Sequence, residues 1–151
     1  MLHKKFIALI LMLISYPAFA DYDVNKIKDG IEKKTTVFQV TGWSQSQDQK
    51  SFIATTQLKR LSITVNEKES KLIVPFVTPE QIKTGKVLCR KFTEVASAAD
   101  SQKQLQDIKD TIRKSTTRHQ LKRIKMNDIV FMIAPKLRGS VVSLHCSVSK
   151  I

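Results

Sequence analysis

Special-purpose residues are scarce in this sequence. Four glycines and four prolines among 151 residues exclude a collagen-like repeat or a low-complexity polymer. Two cysteines are too few for a disulfide-dense scaffold. Acids are outnumbered, 13 against 26 lysines and arginines, for a formal charge of +13. Beyond residue 20 no apolar run approaches the roughly 20 residues that a membrane-crossing helix needs. There is no Asn-x-Ser/Thr glycosylation site and no G-x-S-x-G nucleophile elbow. Two distant cysteines and two distant histidines, His119 and His145, make a poor metal constellation, so no metal site is expected. At 42% hydrophobic and 26% charged residues, the composition is still that of a globular protein with one core.

The N-terminus carries the most specific pattern. Lys4 and Lys5 supply a positive start, Phe6 to Ile14 an unbroken apolar run, and Tyr16-Pro17 a helix break. Ala18-Phe19-Ala20 then presents small residues before Asp21. This is the layout of a cleaved secretory signal peptide over residues 1–20. The apolar run is about half the length of a membrane anchor, and no cysteine stands near the cleavage point to accept a lipid. The expected mature chain is residues 21–151, with no transmembrane anchor after cleavage. Losing Lys4 and Lys5 and no acid turns +13 into +11. Export implies a periplasmic or secreted protein, and a pair of cysteines in an oxidising compartment implies one disulfide, Cys89–Cys146.

Along the mature chain, Val24, Ile27 and Ile31 stand at helical spacing. Residues 35–41 predict a strand ending at Gly42, and the Ser/Gln tract after Trp43 predicts a loop, with Trp43 itself expected in the core. Leu61, Ile63 and Val65 alternate with polar residues, and the apolar stretch 72–77 predicts their hairpin partner. Pro75, which cannot donate to a ladder, predicts an edge position for that second strand. Thr78-Pro79-Glu80-Gln81 reads as a capping box opening a helix; Gly85 is expected to end it, leaving 86–95 as a strand. Leu105, Ile108 and Ile112 mark the strongest helix, over 97–114, and 118–125 either extends it or forms a basic connector. An apolar run at 128–134, a turn at 135–139 and the alternation of Val142, Leu144, Cys146 and Val148 predict a C-terminal hairpin. The expected fold is a single small α+β domain, a mainly antiparallel sheet packed with one or two helices.

Charge is concentrated late in the chain. Residues 113–125 contain Arg113, Lys114, Arg118, Lys122, Arg123 and Lys125 and no acid. If the run is helical, Lys114, Arg118, Lys122 and Lys125 line one face, a footprint for an acidic protein or an anionic envelope component. No aromatic interleaves with these cations, so a stacking platform for nucleic acid is lacking. Lys83-Thr84-Gly85 and the Ser147…Lys150 pair match fragments of β-lactamase motifs, but their order is reversed and the chain is too short for that fold. The expectation is therefore an exported, non-enzymatic binding or accessory protein, such as a subunit of a pilus or secretion assembly, needing no cofactor. The competing expectation is a small basic hydrolase, ribonuclease-like, with His119 and His145 as its acid–base pair.

Overall fold

The computed structural model describes residues 22–76 and 78–151; the expected signal peptide, residues 1–20, lies outside them. Helix α1 (Val24–Glu32) and the single turn α2 (Thr35–Phe38) lead into strands β1 (Val40–Gln45), β2 (Ser51–Thr56), β3 (Ser62–Asn66) and β4 (Glu69–Phe76). Helices α3 (Pro79–Ala96) and α4 (Gln102–Arg118) follow. Strands β5 (Lys122–Met126), β6 (Ile129–Arg138) and β7 (Val141–Lys150) close the chain. All seven strands form one sheet in the order β1-β2-β3-β4-β7-β6-β5, each neighbouring pair antiparallel. The fold is α+β, with the helices gathered on one face of the sheet.

Strand periodicity decides what that face contains. Ile63 and Val65 of β3, Leu72 and Val74 of β4, Leu144, Cys146 and Val148 of β7, and Phe131 and Ile133 of β6 all turn towards the helices and are buried. They meet Leu88, Cys89 and Phe92 of α3, Ile108 and Ile112 of α4, and Ile27 and Ile31 of α1. The disulfide Cys89–Cys146, with its Cα atoms 5.9 Å apart, ties the middle of α3 to the inner strand β7. Both cysteines are fully buried.

Several elements differ from the sequence expectation. Residues 35–38 form a helical turn, not a strand; Gln39 then takes a left-handed conformation, φ 50°, which swings the chain into β1. That strand runs through Gly42 and Trp43 into the Ser/Gln tract, because pairing with β2 satisfies its backbone. Trp43 is partly buried on the helix side, its indole N–H donating to Glu32. The capping box at Thr78 and Gln81 forms, but α3 continues through Gly85 to Ala96. Leu88, Cys89, Phe92 and Ala96 stand at helical spacing and bury against the sheet, and that stripe outweighs the roughly 1 kcal/mol cost of an interior glycine.

Helix α4 begins later than expected, with Ser101 as its cap, and the basic run does not extend it. His119 closes the helix in the left-handed region at φ 50°, as C-terminal caps commonly do. The buried Ser115 hydroxyl donates to the Gln120 carbonyl at 2.5 Å, fixing the exit. Lys122–Met126 then forms edge strand β5, in which Ile124 and Met126 turn inwards at a period of two. The expected four-residue stripe is therefore broken: Lys114 and Arg118 remain on α4, while Lys122 and Lys125 lie on β5.

The prolines are placed by the outline of the sheet. Pro75 does not mark an edge strand, since β4 lies between β3 and β7. However, β3 ends at Ser62, opposite Ile73, so Pro75 stands where that flank is already open. Pro135 sits inside β6, not in a turn, and β5 likewise stops short of it, at Lys122 opposite Ile133. Each proline occupies a stretch whose outer neighbour has ended, where a missing N–H costs no ladder bond and blunts the exposed flank.

Gly30 lets α1 lie close to α3. A Cβ built there would come 2.6 Å from Val95 Cγ1, well inside van der Waals contact. Gly30→Ala is expected to destabilise the protein, because overpacking costs about 1–3 kcal/mol against a helix-propensity gain of about 1 kcal/mol. With Val95→Ala made first, the same change should stabilise. Chemical denaturation of the four proteins checks this; a Gly30→Ala effect of the same sign in both backgrounds contradicts the close-approach account.

Candidate functional site

The second face of the sheet has no helices over it. Pairing registers align its side chains in rows across the strands. One row runs from Ile53 on β2 through Thr64, Lys71, Ser147 and Met132 to Arg123 on β5. The next carries Ile73, His145 and Ala134. On its other side lie Glu69, Ser149, Val130 and Lys125. Towards the β6–β7 turn come Pro75, Ser143 and Lys136, then Arg138 opposite Val141.

Two chemistries coexist on this face. Val130 and Met132 on β6 are only half-buried and form an apolar strip that meets solvent, while Ile73, half-buried, and Ile53, 40% exposed, stand apart from it on β4 and β2. Around it stand Lys71, Arg123, Lys125, Lys136 and Arg138. Glu69 is the one acid on the described strands of this face, and it pairs with Lys71 at 3.1 Å. Solvent-accessible apolar area among charged residues is the composition of a protein-docking surface.

Strand β7 supplies the polar groups. His145 Nε2 lies 2.9 Å from Ser143 Oγ. Burial, then the positive charges of Lys136 and Lys71, hold the imidazole pKa below its ordinary 6.5, which favours the neutral ring. Ser147 is 3% exposed and its Oγ has no hydrogen-bond partner among the described residues. An unsatisfied buried hydroxyl of this kind costs about 1–3 kcal/mol.

The six cations of the basic run are divided among three surfaces. Arg113, Lys114 and Arg118 are exposed on α4. Lys122 lies opposite Ile133, on the helix side of the sheet. Arg123 and Lys125 belong to the helix-free face, and their position on an edge strand also discourages edge-to-edge pairing. Lys71, Lys136 and Arg138 join that face from separate segments, and spacing alone gives no sign of this. The apolar stretch 128–134 did hold a signal: apolar residues at successive positions put Val130 and Met132 on the face opposite Ile129 and Phe131.

The two histidines are not brought together. His119 caps α4 in the helical layer, while His145 projects from the opposite face, its neighbours Leu144 and Cys146 pointing into the core. Proton transfer needs both groups within hydrogen-bond reach of one substrate, and the sheet stands between them. Among the described residues, no cluster of three His, Cys, Asp or Glu could hold a metal, and no helix is long and apolar enough to cross a membrane. No protein-family model matches the chain, and neither a curated protein nor a solved structure matches it.

Proposed function

We propose that this is an exported, non-enzymatic binding protein, an accessory subunit of an envelope assembly, that docks an acidic protein partner on the helix-free face of its sheet. The observation that carries the reading is the composition of that face: a half-buried apolar strip of Val130 and Met132 on β6, with Ile53 exposed further along the sheet, among Lys71, Arg123, Lys125, Lys136 and Arg138 against the single carboxylate of Glu69 on the described strands. The apolar strip supplies area to remove from water, and the cations select a partner of opposite sign and speed its capture. The buried disulfide and the N-terminal pattern of residues 1–20 support a periplasmic or secreted location.

A photo-crosslinking residue at Ser149, within this face, should give one discrete adduct in cells, with an acidic exported protein identified by mass spectrometry. The same probe at Lys103, on α4, should not. Arg123→Glu, Lys125→Glu and Lys136→Glu together should abolish the adduct while moving the thermal transition little, because exposed charges contribute about 0–1 kcal/mol each. An adduct that survives the triple reversal, or that forms equally from Lys103, refutes the docking face.

A further inference from the structure

On the opposite side of the molecule, α3 and α4 form a helical hairpin with a groove between them. It has a volume of about 230 Å³ and is lined by Lys86, Val87 and Arg90 of α3 and Lys109, Ile112 and Arg113 of α4. Four of these six residues are cations and none is an acid. Lys86 and Arg90 are four residues apart, as are Lys109 and Arg113, so each helix stacks two like charges on one face, an arrangement that weakens helices. At the start of α4, by contrast, Lys103 is followed four residues later by Asp107, 3.0 Å away; the like-charge spacing recurs at Lys114 and Arg118.

The neutralisation available inside the groove is incomplete. Arg90 Nε lies 3.5 Å from Glu94, and Arg113 Nη2 lies 3.4 Å from Asp110. Arg90 Nε is nevertheless buried without a hydrogen-bond partner among the described residues, and such donors call for an explanation. Lys86 and Lys109 make no ion pair among the described residues. Beside them Val87 is 48% exposed, whereas Ile112 is buried, which gives the groove an apolar wall next to its charges.

We infer that this groove binds a phosphoryl group carried on an apolar or ring-bearing ester. Arginine presents a planar fork that matches phosphate oxygens, and lysine adds a point charge; both are present on both helices. The wall of Val87 and Ile112 takes the ester portion. This site is separate from the proposed docking face, and neither reading depends on the other.

Titration of the mature protein with inorganic pyrophosphate tests it, followed by calorimetry and amide NMR. Saturable binding is expected, with shifts centred on Lys86, Val87, Arg90, Lys109, Ile112 and Arg113. Lys86→Gln with Lys109→Gln should weaken binding by about tenfold, since charge-assisted contacts are the strong ones, and should leave the melting temperature unchanged. Flotation with phosphatidylcholine vesicles, with and without phosphatidic acid, identifies the source. Capture only by phosphatidic acid, competed by pyrophosphate and lost in the double variant, assigns a lipid phosphate. Pyrophosphate binding without vesicle capture assigns a soluble phosphate ester. The inference is overturned if pyrophosphate does not saturate, if the double variant binds it as well as the parent, or if the shifts map to Arg123 and Lys125 instead.

Discussion

Replacing both cysteines, Cys89→Ala with Cys146→Ala, is expected to cost about 4 kcal/mol of stability. The cross-link spans 57 residues, and closing a loop of that length in the unfolded chain removes entropy worth about 4 kcal/mol at 25 °C in the loop-closure model. For a domain of this size that lowers the melting temperature by on the order of 15 °C. The bond joins α3 to the inner strand β7, so its loss leaves core packing alone to hold that helix on the sheet. Both side chains are fully buried, so a reductant should reach the bond slowly in the folded protein and readily once it unfolds. Thermal melts of the parent and the double variant decide the matter. A drop of only a few degrees means that core packing alone holds α3 on the sheet.

Phe131→Ala and Met132→Ala, neighbours on β6, should have opposite consequences. Phe131 is fully buried, opposite Val148 and Ile124 beneath the helices, and truncating a buried phenylalanine typically costs about 3–5 kcal/mol. Met132 turns the other way, between Ser147 and Arg123 on the helix-free face, and is only half-buried. Its truncation should cost less than about 1 kcal/mol of folding stability while weakening the docking of an acidic partner, because the apolar strip loses its largest flexible member. Denaturation curves measure the first effect, and yield of the Ser149 photo-adduct the second. If Met132→Ala destabilises as much as Phe131→Ala, the helix-free face is part of the folding core and not a surface kept for a partner.

Local chemistry made some features legible in the sequence. The capping box at Thr78 and Gln81, the alternation of Ile63 with Val65 and of Leu144 with Cys146 and Val148, and the helical stripe of Ile108 and Ile112 are set by interactions within a few residues. The disulfide followed from pairing the two cysteines on the expectation of export. The α+β class followed from the sum of these patterns.

Other features were decided between segments distant in the chain. Gly85 sits inside a helix because the stripe from Leu88 to Ala96 has a sheet to pack on. Residues 122–126 are a strand because β6 offers them a ladder, and the Ser115 hydroxyl turns the chain towards it. Pro75 is tolerated in an inner strand because β3 stops two residues earlier. The candidate sites follow the same division. The basic run is contiguous in sequence but dispersed in space, while Lys71, Arg123 and Lys136 are distant in sequence yet share one face. Spacing along a chain reports only which residues share a face of one element. Strand order and register determine which elements lie side by side, and the long-range burial of apolar area that fixes both leaves no periodic trace in any single segment.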